Sequence, residues 1–403
     1  MQRDGTLLFT TRIIRLFAYG FLSVVLALYL VEVGLTEEQV GLLLTLTLAG
    51  DASVSLWLTT SADRIGRRRM LLLGAGLMIL AGVGFILTRN PILLTIAAIV
   101  GVISPSGNEI GPFLSIEQAS LTQLLPDERR TRAFAWYNLA GSFATATGAL
   151  TSGWLAQTLQ SNGMPALEAY RVVLVGYALA GAALVVCFLS LSPVVEASAP
   201  AASSTPRLLG LHKSRGVVLK LSALFAIDAF AGGLIVQSMM AFWFHIRFGV
   251  ETGIIGSIFF GANILAGISA LLAARIAAKI GLINTMVFTH IPSNILLVLV
   301  PLMPNLPLAI TALLMRFSIS QMDVPTRQSY TMAVVSPDER SAASGVTSIA
   351  RSVGAAISPM LTGIFLGIPA LISAPFFLSG GLKIVYDLLL YQSFRSIKPP
   401  EEN

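Results

Sequence analysis

The chain has 403 residues, 55% of them hydrophobic and 11% charged, with a net charge of +6 and a mean hydropathy of +0.80. A soluble globular chain carries about 25% charged residues, so this composition excludes a water-facing surface over most of the molecule. The single cysteine, Cys187, can close no internal disulfide.

A membrane-spanning helix needs about 20 residues, which leaves room for roughly ten to thirteen spans. The N-terminus is polar and short. The first apolar run is long enough to be a membrane helix itself, so no cleavable signal is expected. Apolar stretches bounded by polar loops predict twelve helices, at 11–33, 39–62, 70–88, 92–123, 131–157, 169–192, 217–245, 251–279, 282–302, 306–335, 340–368 and 372–393. Alternate connections hold Arg64, Arg67, Arg68, Arg69, Arg129, Arg130, Arg207, Lys213, Arg215, Lys279 and Arg340, whereas the others hold little beyond Arg89, Arg171 and Arg247. Lysine and arginine accumulate in cytoplasmic loops, so both termini are expected in the cytoplasm of a multi-pass inner or plasma membrane protein. The same distribution explains the basic balance by topology and anionic headgroups, with no nucleic acid partner.

Between the sixth and seventh helices the chain turns rich in Ala, Ser and Pro and then basic, which predicts a cytoplasmic linker over 193–216. It separates an N-terminal six-helix bundle, 1–192, from a C-terminal one, 217–403. The halves repeat. Glu117–Arg129 aligns with Gln328–Arg340, each ending in Pro-Asp-Glu-Arg, and Leu16-Phe17-Ala18 aligns with Leu224-Phe225-Ala226.

The connection between helices 2 and 3 reads Thr59-Thr60-Ser61-Ala62-Asp63-Arg64-Ile65-Gly66-Arg67-Arg68-Arg69. It resembles the signature loop of the major facilitator superfamily, G-x-x-x-D-R/K-x-G-R/K-R/K, with Thr59 in place of the first glycine. Length, two halves, linker and repeat agree with that family over essentially the whole chain. The resemblance implies an all-α membrane protein of twelve transmembrane helices in two pseudo-symmetric six-helix bundles, with a small-molecule substrate held between the halves near the midplane. It also implies a cytoplasmic gate formed by Asp63, Arg64, Gly66 and Arg67. Asp63 would face the N-terminus of helix 11, whose free amides favour an anion. Gly66 would permit the tight turn. Relatives often complete this relay with an aspartate where Thr122 stands, a part Glu117 could take. The helix 5 pattern of drug–proton antiporters, G-x6-G-P-x3-G-G, is partly present in Gly141, Gly148 and Gly153, with Ala149 where proline is usual.

Charges inside spans are costly and mark paths or pairs. Asp51 in helix 2 is expected either to bond a hydroxyl on another helix or to face a cavity. Glu109, within Ser104-Pro105-Ser106-Gly107-Asn108-Glu109-Ile110-Gly111-Pro112, is the leading functional candidate, because Pro and Gly break the helix around it. Its alternative is a pair with Arg316 or Arg351. Glu117, Asp228, Arg316, Asp323 and Arg351 complete the proton-coupling and substrate set. Lys383 with Asp387 and Asp323 with Arg327, each four apart, are expected ion pairs, leaving Arg316 as the free cation.

No catalytic residue set, nucleotide loop, cofactor motif or metal-spaced Cys/His group is present in the sequence, so no enzyme and no ATP-driven pump is expected. The leading reading is secondary active, proton-coupled efflux of a small apolar or cationic solute by a monomer in the lipid bilayer. The alternative is transport of an organic or inorganic anion on Arg316 and Arg351. A non-transporting scaffold has no need for so many intramembrane charges.

Overall fold

A computed structural model describes residues 2–109, 111–125, 127–196, 211–336 and 339–397, with the side chains of Gln2, residues 127–132 and Ser341 outside that description. The middle of the linker with Arg207, the prolines Pro126 and Pro337, and the side chains of Arg129 and Arg130 therefore lie outside the described residues.

The described chain is helical, with no strand. Its elements are α1 (Gln2–Ser23), α2 (Leu26–Val33), α3 (Glu37–Ile65), α4 (Arg67–Leu87), α5 (Pro91–Val100), α6 (Phe113–Leu124), α7 (Asp127–Ser161) and α8 (Ala166–Leu189) before the linker. After it come α9 (Arg215–Gly233), α10 (Gln237–Phe248), α11 (Thr252–Ile280), α12 (Leu282–Leu299), α13 (Leu306–Phe317), α14 (Asp323–Ala333), α15 (Arg340–Leu366) and α16 (Ala374–Phe394). Starts follow local chemistry. Thr36 and Gln39 form a capping box on α3, and Asn90 caps α5 with Pro91 in its first turn.

The expected twelve segments are all present, but the first, fourth, seventh and tenth are each broken in two. Helices α1 and α2 meet at a 47° bend. The stretch between α5 and α6 carries Pro105, Pro112 and two left-handed glycines, Gly107 (φ 70°) and Gly111 (φ 79°). The breaks fall at every third segment, as an internal repeat would place them. Among the described residues eight helices, nine with the bent pair, are long and apolar enough to cross a bilayer. The segment made of α5 and α6 and the one made of α13 and α14 each hold one short apolar helix, α5 and α13, and α7 carries a polar start.

The solvation pattern is that of a membrane protein. Large apolar side chains such as Leu87, Ile92, Leu179 and Val186 face outward, while Arg15, Glu117, Asn294 and Asp387 are fully buried.

Two compact units result. One holds residues 1–203 with 236–263, and the other holds 204–235 with 264–403. In the first unit α1 packs on α7 through glycine: a Cβ on Gly148 would stand 2.1 Å from the Phe17 carbonyl oxygen. In the second unit α9 packs on α15 in the same way, and a Cβ on Gly354 would stand 2.3 Å from the Ala226 carbonyl oxygen. Phe17 and Ala226 lie in the repeated Leu-Phe-Ala runs, so the repeat recurs as a packing contact. Backbones this close gain dispersion that lipid tails would not supply. In the first unit α7 also meets the start of α11, where Gly153 and Gly256 lie against each other and Trp154 donates to Ser257 at 3.0 Å.

Each end of the linker is held by a carboxylate on backbone amides. Glu196 accepts from the amides of Arg67 at 2.6 Å and Arg68 at 3.3 Å, at the start of α4. Glu339 accepts from the amides of His212, of Lys213 at 2.8 Å and of Ser214 at 2.8 Å, just before α9. Desolvation pushes the Glu339 carboxyl up, but the Ser214 hydroxyl and the three amides outweigh it and bring it down to about 2.

Two outcomes follow from these contacts. Gly148→Ala and Gly354→Ala should each destabilise the protein by about 1–3 kcal/mol through overpacking against backbone. Gly76→Ala, inside α4 where nothing lies within 4 Å of the added carbon, should leave the melting temperature unchanged or slightly raised. Thermal unfolding in detergent measures both, and equal stability of all three variants would contradict the close-packed seams. For Glu339 the folded pKa is depressed, so its contribution is complete above the ordinary glutamate value near 4.5 and is lost as pH falls toward about 2. Glu339→Gln should speed hydrogen exchange at the Lys213 and Ser214 amides roughly tenfold or more at neutral pH. The wild-type advantage over that variant should shrink only within the acidic window.

Candidate functional site

Among the described residues each unit contains a cluster of buried arginines and carboxylates. In the first, Arg12 and Arg15 sit one turn apart on the same face of α1. Arg15 is fully buried and bridges two carboxylates. Its Nε donates to Glu109 at 2.7 Å, and its two Nη atoms donate to Glu117 at 2.8 and 2.7 Å. Arg12 donates to Glu109 at 2.6 Å, to the Tyr137 carbonyl at 2.9 Å and to Asn138 at 3.2 Å. The Tyr137 hydroxyl donates to Glu117, as does Thr11 at 2.7 Å. The guanidinium of Arg12 also lies 4.3 Å over the Tyr137 ring, and that of Arg15 lies 4.7 Å over Phe113. Two guanidiniums face two carboxylates with most hydrogen-bonding capacity used, so the cluster is neutral and self-contained.

Glu109 lies in the irregular stretch between α5 and α6, where the sequence predicts a disrupted helix. The expected partners Arg316 and Arg351 are not the ones it takes. Arg12 and Arg15 of α1 hold it instead, and Glu117 is held with it rather than joining the signature loop. Apolar length alone, the signal that marks the first helix, does not reveal Arg12 and Arg15. Their i, i+3 spacing inside an apolar run is the signal that could have found them.

Asp51 on α3 takes a hydrogen bond from Ser55 at 3.2 Å and faces the Gly111 amide. The hydroxyl comes from its own helix, four residues on, and not from another helix. Among the described residues no cation pairs with Asp51.

At the signature loop Asp63 pairs with Arg67 at 2.8 Å, and Gly66 takes φ 120°, which favours glycine. Arg67 also donates to Gln123 at 3.0 Å, and Arg68 donates to the Leu189 carbonyl at 2.6 Å. Arg64 is exposed. The carboxylate that serves this loop is Glu196, which sequence reasoning left inside the linker.

The second cluster is built around Asp228 of α9. Lys383 of α16 donates to it at 2.6 Å, Arg327 of α14 at 3.0 Å and Arg351 of α15 at 3.1 Å. Arg327 also pairs with Asp323 at 3.0 Å, as the four-residue spacing predicts. The pair expected between Lys383 and Asp387 does not form. The two residues share a face of α16, but Lys383 reaches α9, while Asp387 accepts from His290 of α12 at 2.9 Å and Asn294 at 3.1 Å. Arg316 on α13 is buried, makes no ion pair among the described residues and leaves its Nε without a hydrogen-bond partner. Its guanidinium lies 4.9 Å over the Phe317 ring.

The balance differs from that of the first cluster. Asp228 and Asp323 face Lys383, Arg327 and Arg351, and Arg316 adds a further cation. Arg351 is the accessible member, its side chain 35% exposed. A site of this kind can take an anion that displaces Asp228 from Arg351 or settles on Arg316. Among the described residues no group of His, Cys, Asp or Glu is placed to hold a metal ion.

The chain is similar over nearly its full length to proteins of one kind. A family model described as Major Facilitator Superfamily matches residues 8–359. The uncharacterized membrane protein YJR124C of Saccharomyces cerevisiae is 32% identical over 426 residues, covering 98% of this chain and 95% of the yeast protein. Among solved structures, a mutant of the nucleoside transporter NupG superposes with a TM-score of 0.77 at 14% identity, covering 97% of this chain and all of the other. The human organic anion transporter MFSD10 (TETRAN) superposes with a TM-score of 0.65 at 16% identity, covering 96% and 99%. With the signature loop, the repeated halves and the twelve helical segments, these matches place the chain in the major facilitator superfamily, as a multi-pass membrane transporter and not an enzyme.

Proposed function

We propose that this protein is a proton-coupled secondary transporter of small organic anions working by alternating access. The observation that carries the reading is the surplus of positive charge around Asp228: three cations on two carboxylates, one of them accessible, with Arg316 buried beside them and without an ion pair among the described residues. An uncompensated guanidinium in a span is costly, and a substrate carboxylate or phosphate removes that cost when it binds. MFSD10, which shares the fold, is named an organic anion transporter.

Efflux of an apolar or cationic solute would rest on Asp51, a carboxylate with only a hydroxyl and an amide beside it. In the anion reading the same residue suits a proton carrier in the first unit, because no cation fixes its charge. Glu109 is less suited, since two guanidiniums already bond it. Asp63, Arg64, Gly66 and Arg67 act in gating. The arginine bias supports cytoplasmic termini in an inner or plasma membrane, with the protein working as a monomer.

Counterflow in proteoliposomes tests the substrate class with radiolabelled benzoate, succinate and tetraphenylphosphonium. Benzoate or succinate should exchange, and Arg316→Ala or Arg351→Ala should lower that exchange about tenfold or more, the loss of one charge-assisted contact. Preferred exchange of tetraphenylphosphonium, or full anion exchange in both variants, would sink the anion reading. Asp51→Asn should abolish uphill uptake driven by a pH gradient and spare counterflow. Glu109→Gln should instead lower thermal stability, by about 3–5 kcal/mol where a buried pair loses one partner. A Glu109→Gln protein as stable as wild type that loses only proton-driven uptake would reverse the roles of these two residues.

A further inference from the structure

Behind Asp228, on the side of α12, lies a second titratable group that the substrate reading does not use. His290 stands at the middle of α12 and is almost fully buried. Its Nδ1 lies 2.9 Å from Asp387 Oδ1, and the other carboxylate oxygen accepts from Asn294 at 3.1 Å. The Tyr386 ring packs edge-on against the imidazole. Asp387 is fully buried. Lys383, one turn earlier on α16, is the nearest cation by chain position, yet its ammonium is bonded to Asp228 at 2.6 Å.

The groups facing this pair come from four elements. Lys383 and Tyr386 belong to α16, Asp228 to α9, and Arg327 with Asp323 to α14, where they are bonded to each other. From α13, Arg316 acts on Asp323 and Asp228.

We propose that His290 and Asp387 form a proton-binding site in the second unit, linked through Lys383 to the Asp228 cluster. With Nδ1–H donating to Asp387, the incoming proton adds at Nε2 and the resulting imidazolium balances the carboxylate. The pair is then neutral, and Lys383 stays on Asp228. Loss of that proton leaves Asp387 as a buried, uncompensated charge. Lys383 lies four residues away on the same helical face and turns toward it. Asp228 is then left to Arg327 and Arg351, and it grips both more firmly. An anion competes for Arg351 best when Lys383 occupies Asp228, so proton and anion bind together. The proton site stands on its own geometry; only this last link rests on the anion reading above.

Histidine NMR on the full chain decides it. The sequence has three histidines, so His212→Gln with His245→Gln leaves His290 alone, in protein purified through a histidine-free tag. No residue of the cluster is altered in that protein. The His290 ring signals, followed from about pH 5 to about pH 9, should pass from a protonated to a neutral form. Adding Lys383→Met should strengthen proton binding at His290 at least tenfold, because the competing cation is gone. Adding Asp387→Asn should weaken it at least tenfold. A ring signal that stays in one protonation state across the range overturns the proposal, as does a titration that Lys383→Met leaves unmoved. Benzoate and succinate counterflow at about pH 6 and about pH 8 separates the two readings. If neither anion exchanges while His290 titrates and answers to Lys383→Met, the substrate reading fails and the proton site holds. If exchange is found but His290 is silent, the proton site fails alone.

Discussion

A charge in the hydrocarbon layer cannot be left to water, and the internal architecture answers to that constraint. Arg15 is fully buried with both ends of its guanidinium on carboxylates, and Asp228 is met by three cations within 3.1 Å. Each ionised group draws residues from several helices. The clusters therefore fix which helices of a unit lie together: α1 with α6 and α7 in one, α9 with α14, α15 and α16 in the other. Replacing such networks by apolar residues would often cost nothing in stability, so stability alone does not account for them.

The two clusters are related in position but not in charge. In both, the first helix of a repeat meets charged side chains from the broken fourth segment. In the first unit the account closes, with two guanidiniums on two carboxylates. In the second it does not close, because cations outnumber carboxylates and Arg316 stands without an ion pair among the described residues. A closed network resists rearrangement, since moving one member strands another. An open one has a member to spare, and that freedom is what a substrate or a proton can use. The asymmetry is the physical reason for placing substrate chemistry in the second unit, even though the first holds the more conspicuous helix-breaking sequence.

Backbone and packing serve the same end. The break in the fourth segment puts Glu109 on non-helical backbone, where it meets Arg12 and Arg15 of α1. Glycine seams between α1 and α7 and between α9 and α15 bring helices close without large side chains, so the polar residues nearby can reach their partners. At the polar ends, Glu196 and Glu339 use the free amides ahead of a helix as anion sites, which anchors both described ends of the linker region.

The sequence by itself determined the class, the number of helical segments and the family. Membrane-length apolar runs, arginine-rich alternate loops, the Asp63–Arg69 signature and the repeated Pro-Asp-Glu-Arg are all local patterns, and local patterns survive without coordinates. It also determined Asp323 with Arg327, because a four-residue spacing is a contact that one helix makes alone. The same rule failed for Lys383 and Asp387, where two neighbouring helices compete for the two ends of one face. Partners of Glu109, Glu117, Asp228 and Asp387 lie about 90 or more residues away in sequence, except Tyr137 for Glu117. Only tertiary structure decided them, because a buried charge takes the nearest opposite charge in space, and nearness in space is set by which helices pack together.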